Sequence, residues 1–165
     1  MRLNAWWVLA VLGVVLSMSS MAWAAAAAGD RAYTVLWLGD SLLGDAAEPA
    51  LRANGYRWAF ANYPRIDTAD LTVVNAEGPI SPRDTPYFPD QRWSYTSRTA
   101  AASAFARAGV DIASLANNHG FDRGPDGLRD TIEALRGVGV TPTGAGTLGE
   151  LATPTILNTP HGRLA

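Results

Sequence analysis

"VLWLGDSLLGD", Val35 to Asp45, joins an unbroken apolar run to Gly-Asp-Ser-Leu. The run itself, "YTVLWL" from Tyr33 to Leu38, is rich in β-forming residues and stops at Gly39, the pattern of a strand buried on both faces. "DLTVVN" (Asp70 to Asn75) and "VDIASLA" (Val110 to Ala116) repeat it. Between them, "SRTAAASAFARAG" (Ser97 to Gly109) reads as an alanine-rich helix closed by Gly109. A second helix lies in "GPDGLRDTIEALRGVGV": Pro125 suits its first turn, Leu128, Ile132 and Leu135 share one face, and Gly137 and Gly139 stop it. A short strand, Val138 to Thr141, follows. Strands alternating with helices predict an α/β fold, a parallel or mixed β-sheet flanked by helices.

Polar residues fall at the carboxyl ends of those strands. Asp40 follows the first, Asn75 and Glu77 the second, Asn117, Asn118 and His119 the third, and Gly144-Ala145-Gly146 the fourth. In an open parallel sheet these ends converge on one crevice, where α/β proteins place ligands. Turn chemistry accounts for any single Asp or Asn there. It does not account for Glu77 or His119, since neither residue type is a turn former.

Two chemistries compete for the first strand's end. "GDSL" matches the nucleophile block of GDSL-type esterases, with Ser41 as nucleophile, and such a serine needs a histidine, usually within a late D-x-x-H pair. The two histidines are preceded at the third position by Ala116 (His119) and Asn158 (His161), so neither makes that pair. The alternative is a metal site. Carboxylates of Asp40 and Glu77, the carbonyl oxygen of Asn118 and the imidazole of His119 suit a divalent ion such as Mn, Fe, Zn or Mg. His161, in "TPHGRLA", reads as a turn residue, and Asp45 as a solvated loop acid. Trp37, Trp58 and Trp93 read as core and loop packing.

Composition narrows the function classes. All thirteen basic residues are arginine, so the chain has no lysine for a Schiff base or a P-loop. A net charge of −2 argues against a nucleic-acid partner, and the absence of cysteine excludes disulfides and thiolate metal sites. "MRLNAWWVLAVLGVVLSMSSMAWA", residues 1–24, has Arg2, an apolar stretch and Ala22-Trp23-Ala24, and reads as a signal peptide cleaved before Ala25. Left uncleaved, it would be a membrane tether. The expected location is exported, periplasmic or cell-surface.

"WLGDSLLGD", "ADLTVVNAEGPI", "AGVDIASLANNHGFDRGPDGLRDTIEALRGVGVTPTGAG" and "ATPTILNTPHGRLA" resemble successive blocks of the CapA family, bacterial capsule and poly-γ-glutamate biosynthesis proteins related to calcineurin-like metallophosphoesterases. The resemblance runs from about Tyr33 to the last residue. It implies a metallophosphoesterase-like half-domain over residues 25–165, with Asp40, Glu77 and Asn118 as metal ligands, His119 assisting the leaving group, and Asn75, Asn117 and Asp122 in support. Read from the residues alone, Asp122 organises the turn ahead of Pro125. Partners implied are an envelope polymer or polymer-synthase components, and the roles implied are a metal-dependent hydrolase or transferase or a non-catalytic accessory in polymer assembly or export. Ala76 stands where leucine is usual in the family, and the later histidine blocks of family members have no counterpart. On that resemblance the chain reads as truncated at its C-terminus.

Overall fold

Four parallel strands in the order β1-β2-β3-β4 carry the molecule: β1 (Val35–Ser41), β2 (Leu71–Ala76), β3 (Ile112–Ser114) and β4 (Thr141–Thr143). The computed structural model describes residues 32–63, 66 and 68–165, so the expected signal segment, 1–24, lies outside the described residues. Within the compact unit Thr34–Ala165, β1 leads to α1 (Glu48–Asn54) and a 3-10 helix (Tyr56–Phe60). A long loop and α2 (Ala100–Ala108) join β2 to β3, and α3 (Gly124–Arg136) joins β3 to β4. After β4 come a single-turn α4 (Leu148–Leu151) and an antiparallel hairpin of β5 (Leu157–Thr159) and β6 (Gly162–Leu164). His161 sits in the hairpin turn, its N–H donating to Thr159 Oγ1 at 3.2 Å. Among the described residues no helix is long and apolar enough to cross a membrane.

The core lies between the sheet and the helices. Leu36 and Leu38 of β1, Val74 and Ala76 of β2 and Ala113 of β3 meet Leu51 of α1, Ala101, Ala104 and Phe105 of α2 and Leu135 of α3. Ala101, Ala102 and Ala104 of α2 are buried in this core, and Gly109 ends the helix in the left-handed region, φ +89°, with Val110 N–H reaching back to Phe105 O. On α3, Leu128 and Ile132 are half-buried beside fully buried Leu135, as the spacing predicts. Thr131 is buried with them and accepts from the Ile80 N–H at 2.9 Å, fastening the long loop to the helix.

Three expectations change. The first strand is not buried on both faces: Leu36 and Leu38 enter the core, but Val35 and Trp37 stay 44% and 72% exposed. β1 is an edge strand, and full burial of both faces belongs to the central β2. Trp58 and Trp93 are likewise more than half exposed, so the tryptophans are not core residues. The fourth strand begins at Thr141 rather than Val138, because Val138, Gly139 and Val140 donate their N–H groups to Leu135 and Arg136 carbonyls as the exit turn of α3.

Candidate functional site at the carboxyl ends of the strands

The register between β1 and β2 aims the first acid. Trp37 pairs with Val73, but Asp40 pairs with Asn75, so β1 carries one extra residue between them. Strict alternation would put Asp40 on the same side as Leu36 and Leu38. The bulge moves it to the side of Trp37, Val73 and Asn75, away from the apolar core.

Asn75 then ties the acids together. Its side-chain NH₂ donates to Asp40 Oδ1 at 2.7 Å and to Glu77 Oε2 at 2.8 Å, one hydrogen to each carboxylate. Its carbonyl oxygen accepts from Asn117 Nδ2 at 3.0 Å, and the same Asn117 nitrogen reaches Ala76 O at 2.9 Å. Asn117 Oδ1 in turn accepts from the His119 backbone N–H at 2.9 Å. A run of amide side chains thus links the ends of the first three strands. Gly120 is required where this loop tightens, since a Cβ there would lie 2.6 Å from Leu115 O.

His119 completes the group. Its Nδ1 lies 2.8 Å from Asp122 Oδ2 and its Nε2 3.9 Å from Glu77 Oε1. Asp122 is 2% exposed and also accepts from Gln91 Nε2 at 2.8 Å and from the Tyr95 N–H at 2.7 Å. A carboxylate facing these donors accepts a hydrogen bond from Nδ1–H, which leaves Nε2 as the histidine atom turned toward Glu77. The Tyr95 ring packs against the imidazole with centroids 4.3 Å apart. Arg123, next in sequence, is buried, which pushes its guanidinium below the ordinary range. It donates to the Arg83 carbonyl, the Ser94 hydroxyl and the Asp122 carbonyl. Among the described residues no arginine forms an ion pair with Asp40, Glu77 or Asp122.

The structure therefore gathers Asp40, Asn75, Glu77, Asn117, His119 and Asp122. It does not bring in Asn118, which is exposed and makes no side-chain hydrogen bond among the described residues. Asp122 does not cap α3, whose N-terminus has no side-chain cap; it holds His119. Ser41 gives its hydroxyl to Gly39 O at 3.3 Å, while both ring nitrogens of His119 face carboxylates. Gln91 and Tyr95, which buttress Asp122, escape sequence reading because they sit in a Pro-rich loop with no periodicity and meet Asp122 only through the fold.

For a divalent ion the fit is partial. Asp40 and Glu77 present oxygens to one point and His119 adds a nitrogen nearby, a set suited to hard or borderline cations. Among the described residues, however, no three His, Cys, Asp or Glu side chains are arranged to hold an ion together.

A parallel α/β sheet with acids, amides and a His–Asp pair at its carboxyl edge defines a protein with a polar site in the crevice at the strand ends. Residues 34–165 match the family described as Bacterial capsule synthesis protein PGA_cap, and the chain belongs to that family. It is also similar to the Capsule biosynthesis protein CapA of Bacillus anthracis, 27% identical over 116 residues, a match that covers 68% of this chain and 28% of that protein. The chain is thus a capsule-biosynthesis-related protein spanning far less than two thirds of that relative's length.

Proposed function

We propose that the chain is an exported protein acting on an envelope polymer, capsule or poly-γ-glutamate, through a metal-assisted hydrolase or transferase site in the crevice. The single observation that carries this reading is the convergence of Asp40 and Glu77 on one amide beside a histidine whose Nδ1 is tied to a buried carboxylate. Asp40 and Glu77 would hold a divalent cation, which when bound polarises a phosphoryl or acyl oxygen and acidifies a bound water. With Nδ1–H committed to Asp122, neutral His119 accepts a proton at Nε2, and the imidazolium returns it to a leaving oxygen. Glu77 Oε1 lies 3.9 Å from that nitrogen. Asn75 and Asn117 keep the carboxylates in place without adding charge.

A second reading, a non-catalytic accessory in polymer assembly or export, is favoured by two observations: the exposed Asn118 and the lack of a three-ligand group among the described residues. Calorimetric titration of the chain with Mn²⁺ separates the two. The metal reading expects saturable binding that Asp40→Asn abolishes and Ser41→Ala leaves intact. No binding by the unsubstituted chain would favour the accessory role.

A further inference from the structure

We propose that the chain carries a second binding site, for an anionic sugar, remote from the crevice. An open cavity of about 510 Å³ lies between the 3-10 helix and α2, lined by Arg57, Trp58, Phe60, Tyr63, Ala104 and Arg107 among others. Arg107 and Ala108 stand at the end of α2 that leads into the amino end of β3, whereas the crevice lies past the carboxyl ends. Its volume falls in the range of small-ligand sites, about 300–1,000 Å³.

Two features give this cavity a ligand class. Five of the ten described arginines are ion-paired: Arg52 with Glu48, Arg83 with Asp130, Arg98 with Asp84, Arg129 with Asp126 and Arg136 with Glu150. Arg57 and Arg107 have no ion pair among the described residues, and both line this one cavity. Arg107 lies in the last turn of α2, where a cation is locally favourable, but that does not explain Arg57 facing the same space. Two guanidinium groups on one cavity, with no carboxylate among its described lining residues, suit an oxyanion.

The second feature is aromatic. Trp58 and Tyr63 are 52% and 54% exposed at the same cavity, whose lining also includes buried Ala104 and half-buried Phe60, the latter packed on Phe105 with centroids 5.8 Å apart. Half-exposed amphipathic rings offer an apolar face to a ligand at little entropic cost. A sugar ring, with its C–H face for the aromatic groups and a carboxylate or phosphate for the arginines, satisfies both features at once. A recessed cavity suits a discrete ligand better than the flat surface of a bilayer.

The test uses the chain itself, with binding followed by tryptophan fluorescence and calorimetry. The probes are oligogalacturonate, glucose 6-phosphate, a neutral galactose oligomer, and phosphatidylglycerol vesicles. At least one anionic sugar is expected to bind saturably and the neutral oligomer not to bind. The carboxylated and phosphorylated probes distinguish the source of the oxyanion. Arg57→Gln and Arg107→Gln should each weaken binding about tenfold. Trp58→Phe should remove most of the fluorescence change, while Asp40→Asn in the crevice should alter nothing. Both arginines are exposed, so unchanged circular-dichroism melting is expected and verifies folding. Equal binding of the neutral oligomer, binding indifferent to both arginine substitutions, or no saturable binding of either anionic sugar would overturn the proposal. Binding to vesicles alone would overturn it in favour of a membrane-contacting face.

Discussion

Asp122 holds His119 from below: Oδ2 meets Nδ1 at 2.8 Å, and the same carboxylate is itself held by Gln91 and the Tyr95 N–H. Asp122→Asn leaves one acceptor oxygen for three donors, so at least one buried donor loses its partner. Urea unfolding should show a loss of about 1–3 kcal/mol. Nitrogen NMR should find the Nδ1–H form of His119 in the unsubstituted chain and a shift toward Nε2–H in the variant. An unchanged tautomer would mean the 2.8 Å contact does not govern the ring.

Asn75 should be sensitive to charge beyond its size. Asn75→Leu removes both donors from Asp40 and Glu77, and Asn75→Asp additionally places a third carboxylate between them. Both variants should be less stable than the parent, by about 1–3 kcal/mol for the leucine, with the aspartate costing more at neutral pH. Thermal melts of the pair check the order; the reverse order would show that shape, not charge, decides the site.

Ser41→Ala should change stability by less than about 0.5 kcal/mol, since its one hydrogen bond is a 3.3 Å local contact to Gly39 O. Fluorophosphonate should not label the parent chain at this serine. Covalent labelling would reinstate a nucleophilic role.

Tyr56 should titrate late. Burial, with the 2.6 Å hydrogen bond to Glu48 second, pushes its phenol up to about 12. Because the folded value lies above the unfolded one near 10, the stability from this tyrosine is complete below about pH 10. It is lost as pH rises through about 12. Ultraviolet titration should resolve one late tyrosinate, and Glu48→Gln should move it down without restoring the ordinary value, because burial remains.

Much of the architecture is legible in the residues because it is encoded locally. β-rich runs ending in Gly or Asn mark three strands, Pro125 and Gly109 mark helix ends, and Asp40, Glu77 and His119 stand out because they sit where strands stop. What escapes depends on partners distant in sequence. The exposure of Trp37 follows from β1 being at the sheet edge, which a run of apolar letters does not state. Asn117, rather than Asn118, enters the hydrogen-bonded group because of how the loop turns at Gly120. Asp122 reads as a turn residue until Gln91 and Tyr95, 31 and 27 residues away, are seen to converge on it.

The extra residue in β1 sets a rule of length rather than of composition. Between Trp37 and Asp40 the strand can carry either one residue in even alternation or two with a bulge, and Asp40 faces Asn75 in both cases. Deleting Gly39 would restore even alternation and keep Asp40 on the side of Trp37, still turned from the side that holds Leu36 and Leu38. Adding a residue there would instead carry Asp40 past Asn75 along the strand. Natural variation at this point should therefore include strands one residue shorter, with insertions displaced into the loops on either side.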